Sequence, residues 1–259
     1  MTEFQDEDRM RKFVETIVTL AASAKEGHIP SSLSVLDLIY VTYRDLIGFC
    51  GANRDSAKII LSKGHASLAL YAVLEEFGYI NEQQLLSFGR ANSILGGHPD
   101  KTKIKGVEAS TGSLGHGLPI GVGMALSLRN KPTQIIVIVG DGELYEGTNW
   151  ESFILIEQLS LLNIKVIIDM NQSMPNSTLA KTAKQKLESF GFEVIEINGH
   201  NHNEISEVLL KVSNRKPLAV IAHTTKGFRI SQMQSDPSWH HRVPRQEELN
   251  EILREVRSS

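Results

Sequence analysis

The 259-residue sequence has one cysteine, Cys50, which excludes an internal disulfide and a cysteine metal cluster. Long apolar runs are missing as well. The most apolar stretches, such as Gln134 to Val139, are strand-sized and far short of the roughly 20 residues that a spanning helix needs. An excess of one charge is also absent, with 27 Lys and Arg against 30 Asp and Glu, for a formal net charge of −3. No basic stripe stands out, which argues against a nucleic-acid partner and against a polybasic membrane anchor. The opening residues, Met-Thr-Glu-Phe-Gln-Asp-Glu-Asp, lack the positive and apolar regions of a signal peptide. From these absences we expect a cytoplasmic protein that contacts neither membrane nor nucleic acid. No internal repeat or low-complexity segment is evident. The hydrophobic fraction, 41%, is ample for a core, and the length suits one large α/β domain or two small ones.

Met10, Phe13, Ile17, Leu20, Ala21 and Ala24 recur at spacings of three and four, which predicts an amphipathic helix ending near Gly27. Ser34 and Asp37 form a capping-box-like start to a second helix, Val35 to Ile47. Lys58 to Leu61 reads as a strand and Ala66 to Phe77 as a helix. Residues 88 to 117, rich in Gly, Ser, Thr and His, read as loops, with a small-residue helix from about Leu118 to Leu128. Thereafter short β-branched runs (Gln134 to Val139, Ile164 to Asp169, Glu193 to Ile197, Leu218 to Ala222) alternate with helical segments at about 148 to 162, 180 to 190 and 203 to 213. Such alternation predicts βαβ crossovers and a parallel sheet covered by helices on both faces. Residues 224 to 244 read as a long polar loop, and Arg245 to Arg257 as a final charged helix. Ligands of such sheets bind at the carboxyl ends of strands, near a topological switch point, so the loops after Val139, Asp169 and Ala222 are the first candidates.

The loop after Val139 is Gly140-Asp141-Gly142-Glu143-Leu144-Tyr145-Glu146-Gly147. Two glycines let the backbone approach a diphosphate, and a following helix would turn its N–H groups toward the anion. Asp141 supplies a hard oxygen ligand suited to Mg²⁺. One strand later, Asn171 can give a side-chain oxygen and Ser173 a backbone carbonyl to the same ion. Gly-Asp-Gly alone is equally a plain turn. Gly140, Gly142 and Gly147 do not make G-x-G-x-x-G, and no Gly-Lys-Ser/Thr closes a P-loop.

Gly140-Asp141-Gly142 followed by Asn171 resembles the thiamine-diphosphate signature, although that family usually ends it in Asn-Asn or Asp-Asn and this chain has Met170-Asn171. Glu146-Gly147 and Trp150-Glu151 resemble transketolases in particular. So do five of the nine histidines. Leu61-Ser62-Lys63-Gly64-His65-Ala66-Ser67, Gly97-His98-Pro99-Asp100 and the run Gly106 to Gly117, with its Thr111-Gly112-Ser113-Leu114-Gly115-His116, are similar to transketolase elements. Gly27-His28 keeps part of a Ser-Gly-His-Pro-Gly turn, and Trp239-His240 stands where split transketolases have Trp-His-Gly, with His241 in place of the glycine. A lone histidine is usually a bland loop or core residue; several on separate Gly-rich loops, in family order, are not. His200, His202, His223 and His241 keep the bland reading, as surface or loop residues.

The resemblance covers about residues 10 to 244 and implies one thiamine-diphosphate-binding domain, residues 1–259, with a tail helix at 245–257. It implies the diphosphate-binding half of a split transketolase, a transferase that moves a two-carbon ketol unit from a ketose or ketose phosphate to an aldehyde. It implies that His28, His98 and His240 face the reacting carbons and serve proton transfer near neutral pH. His65, Gly112, Leu114, Gly142, Glu146 and Asn171 would contact the cofactor or its surroundings. Asp141, Asn171 and Ser173 would ligate Mg²⁺, with Ca²⁺ or Mn²⁺ as substitutes. The pyrimidine-binding and C-terminal domains of complete transketolases have no match here. Their absence implies a partner subunit, in an α₂β₂ heterotetramer. Two other readings stand beside this one: a 2-oxo acid dehydrogenase E1-like subunit or ketol transfer to an unusual biosynthetic acceptor, and a non-catalytic scaffold that kept the fold.

Overall fold

The computed structural model describes residues 3–48, 56–172, 177–234 and 236–258. Its centre is a five-stranded sheet of β1 (Ala57–Leu61), β2 (Gln134–Gly140), β3 (Ile164–Met170), β4 (Glu193–Asn198) and β5 (Leu218–His223). The order is β1-β2-β3-β5-β4, and every pairing is parallel. All five expected strands are present, four of them from β-branched runs.

The helices are α1 (Glu3–Ala24), α2 (Ile29–Thr42), α3 (Ser67–Glu76), α4 (Glu82–Leu85), α5 (Gly117–Ser127), α6 (Gly147–Gln158), α7 (Thr178–Lys181), α8 (Ala183–Ser189), α9 (His202–Leu210), α10 (Ser231–Gln234) and α11 (Gln246–Ser258). Alternate strand residues face opposite sides, and the apolar core divides accordingly. Ile59, Ile136, Ile138, Ile167 and Val220 pack with α1, α2, α3, α9 and α11. Ile60, Ile135, Val137, Val139, Val166 and Ile168 pack with α5, α6 and α8. Residues apolar on both faces are what a two-sided parallel sheet requires. Truncating one of them, such as Ile136 to Ala, removes about 2–5 kcal/mol.

Three expectations need correction. The second helix begins at Ile29, with His28 as N-cap and Pro30 in the first turn, rather than at Val35. A proline there costs no hydrogen bond and pre-sets the helical φ. Ser34 and Asp37 are not its cap; both are fully buried inside a helix whose every residue is buried. The segment at 180 to 190 is two short helices, α7 and α8, meeting at Thr182. Residues 224 to 244 hold α10 and a 3₁₀ turn, Pro237–His241, rather than loop alone. Among the described residues no helix is long and apolar enough to cross a membrane.

Candidate active site

Parallel register brings Gly140 opposite Asp169 and Met170 opposite His223, so the carboxyl ends of β2, β3 and β5 form one ledge. Asp169 is its buried anchor, with 0% exposure. Its Oδ2 pairs with the Lys63 ammonium and accepts from Ser34 Oγ (2.8 Å) and Asn171 Nδ2 (2.8 Å), while Oδ1 accepts from Thr224 Oγ1. Full pairing is what makes so deep a carboxylate tolerable. It also orients Asn171: the amide nitrogen faces Asp169, so the oxygen is the atom turned the other way. Asp141, at the end of β2, is 2% exposed, and its Oδ1 accepts from Gly142 N at 2.8 Å. Lys226, after β5, completes the ledge. Burial lowers its pKa, and so does Lys63, while Asp141 and Asp169 pull it back up.

Glu143 joins the loops around this ledge. Its Oε1 accepts from Ser62 Oγ (2.7 Å) and Gly115 N (2.8 Å), and its Oε2 from Gly140 N (2.9 Å). Burial raises its pKa, and the three hydrogen bonds offset part of that. The residues after Gly140 therefore form a 3₁₀ turn, Asp141–Tyr145, and α6 starts only at Gly147. The helix expected from about residue 148 is thus in place, with the 3₁₀ turn between it and the Gly-Asp-Gly turn. Gly115 has φ +80°, and a Cβ there would lie 2.5 Å from that of Glu146, so this crossing of loops requires glycine. Gly112 has φ +157°, and a Cβ would stand 3.1 Å from the His98 ring.

Beside the ledge is a cluster of imidazoles. The His28 ring centroid lies 5.1 Å from that of His65, 5.8 Å from His240 and 4.5 Å from His241. His28 makes no side-chain capping bond to α2. Burial first, then the electrostatic influence of the neighbouring His241, His240, His98 and Lys226, lowers the His28 pKa to about 4. Burial first, then Lys63 and the neighbouring His28, His240 and His98, pushes His65 far down. At neutral pH both are uncharged imidazoles, able to accept a proton. Lys226 Nζ lies 2.7 Å from His240 Nδ1. An ammonium can only donate, so Nδ1 is the acceptor and Nε2 of the neutral ring carries the hydrogen.

The structure thus gathers His28, His65 and His240, sets His98 beside Gly112, and puts Asp141 and Asn171 on adjacent strand ends. Leu114 and Gly142 are half-buried on the surrounding loops and Glu146 is exposed beside Gly115. His116 is exposed at the N-cap of α5. Ser173 lies outside the described residues. Four participants have no clear signal in the sequence. Lys63 shows there only as part of a motif, and nothing local marks Glu143 or Lys226 as converging. His241, expected to be bland, joins the cluster. His200 and His202 are not surface residues either, since both hold the buried Asp37; His223 is exposed and pairs with Glu196 at 2.9 Å.

Strand ends that carry a lysine-paired carboxylate, a glycine-bracketed aspartate and neutral imidazoles define an α/β domain for an anionic cofactor. Residues 9–256 match the model of the transketolase thiamine diphosphate binding domain, and the chain belongs to that family. It is 35% identical to an apulose-4-phosphate transketolase subunit of Phocaeicola vulgatus, over 98% of this chain and 93% of that protein. It is 37% identical to the subunit of the same name from Actinobacillus succinogenes, over 93% of this chain and 91% of that protein. Among solved structures, a transketolase from Leishmania mexicana superposes with a TM-score of 0.85 at 25% identity, covering 96% of this chain and 41% of that one. The chain therefore spans about two fifths of that transketolase.

Proposed function

We propose that this chain is the thiamine-diphosphate-binding subunit of a two-component transketolase. It would transfer a two-carbon ketol unit from a ketose or ketose phosphate to an aldehyde, with a partner subunit supplying the pyrimidine-binding and C-terminal domains in an α₂β₂ assembly. The carrying observation is the convergence of the Asp169–Lys63 ledge and the neutral imidazole cluster on one set of strand ends. The two relatives named as transketolase subunits, matched over more than nine tenths of their length, favour the two-component form. Transketolase-type loops disfavour the E1-like reading.

The residues fit the cofactor and its metal. Asp141 and Asn171 present hard oxygens, the donor type Mg²⁺ prefers, and Ca²⁺ or Mn²⁺ could substitute. Among the described residues no group of three or more His, Cys, Asp or Glu could hold a metal alone, so diphosphate oxygens would supply much of the coordination shell. Lys63, Lys226 and His65 would border that anion, and the Gly142 backbone would lie beside it. Gly112 and Leu114 would line the ring side. Bound thiamine diphosphate supplies the carbon nucleophile that makes and breaks the carbon–carbon bond. This chain's part is to orient and to move protons. His28, neutral, would accept a proton from a substrate hydroxyl; His240, oriented by Lys226, would donate through Nε2; His98 would hold the donor's first carbons.

Thermal denaturation with the partner present tests the reading. Thiamine diphosphate with Mg²⁺ should raise the melting temperature of the wild-type complex, because a ligand that binds only the folded state stabilises it. Asp141→Ala should abolish most of that rise while melting normally without cofactor. No rise in the wild type would favour the scaffold reading.

A further inference from the structure

The segment after β5 is pinned at nearly every residue except one. Thr224 Oγ1 donates to Asp169. The Thr225 amide donates to His200 Nε2 at 2.9 Å. The Gly227 amide donates to the Pro30 carbonyl at 3.0 Å, in the first turn of α2. The Phe228 ring stacks on His200, centroids 3.6 Å apart and planes 14° from parallel. Arg229 donates to Asp37 Oδ2 at 3.0 Å and lies 4.6 Å over the Phe228 ring. Lys226 alone sends its side chain toward His240.

The anchor of this arrangement lies behind the site. Asp37 is fully buried in α2. Its Oδ2 is 2.8 Å from His200 Nδ1 and its Oδ1 2.9 Å from His202 Nε2. An ionised carboxylate only accepts, so His200 Nδ1 must carry a hydrogen. A backbone amide only donates, so His200 Nε2 must not. Both partners thus select one neutral tautomer, and the ring becomes a rigid link from the middle of α2 to the Thr225 amide.

We propose that His200, held by Asp37, is a positioning residue that fixes the Thr225–Phe228 segment and thereby aims the Lys226 ammonium at the cofactor-anion site. The inference rests on the cofactor-site reading above. One helix, α2, would set both sides of the site: His28 from its N-terminus and Lys226 through Asp37 and His200. A positioning role differs from a packing role in one respect: it disappears when the positioned group is gone.

Calorimetric titration of the full chain with inorganic diphosphate and Mg²⁺ tests this, using wild type, His200→Phe, Lys226→Met and the double variant. Phenylalanine keeps the stack on Phe228 and removes both hydrogen bonds. His200→Phe should weaken binding roughly three- to tenfold, the range one hydrogen bond is worth. In the Lys226→Met background the same change should have little further effect, the non-additivity expected of residues acting as one unit. Unchanged binding in His200→Phe, or an equal loss in both backgrounds, would overturn the proposal while leaving the cofactor site standing. Absence of binding by the wild type would overturn the cofactor-site reading, and this proposal with it. Amide hydrogen exchange in the unaltered chain gives an answer even if the variant does not fold: the Thr225 amide should be protected, and fast exchange there would overturn the link.

Discussion

His28 and His202 titrate in opposite senses, for reasons legible in their neighbours. Burial and then the electrostatic influence of its neighbours lower His28 to about 4 from an ordinary 6.5. The unfolded chain therefore takes up a proton on His28 as pH falls through 6.5, and the folded chain only near 4. Stability is lost across that window as pH falls. For His202 burial lowers the pKa, but the hydrogen bond and charge of Asp37, then Asp6, outweigh it and raise the value above 6.5. Its contribution is complete below 6.5 and is lost as pH rises through the elevated value. Melting temperature should accordingly fall on both sides of neutrality. His28→Asn should flatten the acid limb between pH 6.5 and 4, and a limb parallel to wild type would show that His28 is not neutral in the folded chain. A second residue-scale prediction separates binding from chemistry. His65→Ala should mainly raise the cofactor concentration needed for half-maximal activity of the assembled enzyme. His98→Ala should leave cofactor binding nearly intact and lower kcat/KM by roughly 10²-fold. Identical profiles for the two would refute the assignment. At this scale the sequence exposes the histidines and Asp141 because each sits in a recognisable loop. It hides Glu143, Lys226 and the Asp37–His200 link, because a buried carboxylate or a converging lysine has no local pattern; partners up to 163 positions away define them.

At the scale of elements, the strands are readable to within a residue or so: β2 and β3, buried on both faces, leave Ile- and Val-rich runs, and the edge strand β4 shows as a short alternation of Val and Ile with Glu. The start of α2 is not, because Ser34 and Asp37 imitate a capping box, while the true start, beside Pro30, follows a histidine that makes no side-chain cap. Tertiary pairing, of Ser34 with Asp169 and Asp37 with His200, overrides the local signal. The helix after β2 starts within a residue of its expected position, but the 3₁₀ turn before it, which Glu143 closes by bonding back to Gly140, has no local signal. That carboxylate carries the junction of three elements. Glu143→Ala would strand three donors around a cavity and should cost about 3 kcal/mol or more in urea unfolding. Glu143→Gln, which keeps one acceptor oxygen, should cost less. Equal unfolding of wild type and Glu143→Ala would mean that the three loops are held by other contacts.

At the scale of the molecule, the sheet presents one face of chemistry at its strand ends, and on the proposed reading the two halves of that face would do different work. The ledge of Lys63, Asp169, Asp141 and Lys226 suits an anion; the imidazoles beside it suit proton transfer to and from a sugar. The family and the two-sided α/β fold are legible in the sequence, since motif order and strand periodicity are properties of the chain. A partner subunit is also an expectation of the resemblance, and the relatives named as transketolase subunits agree with it; the stoichiometry leaves no pattern in the sequence. On the proposed reading, the site works only when a second subunit closes over it. Turnover of a ketose phosphate donor and an aldose acceptor, with thiamine diphosphate and Mg²⁺, tests this without intermediaries. It is measured for the purified chain alone and again after adding a subunit that carries the pyrimidine-binding domain. We predict no ketol transfer by the chain alone and robust transfer by the pair; robust turnover without the second subunit would contradict the two-component reading.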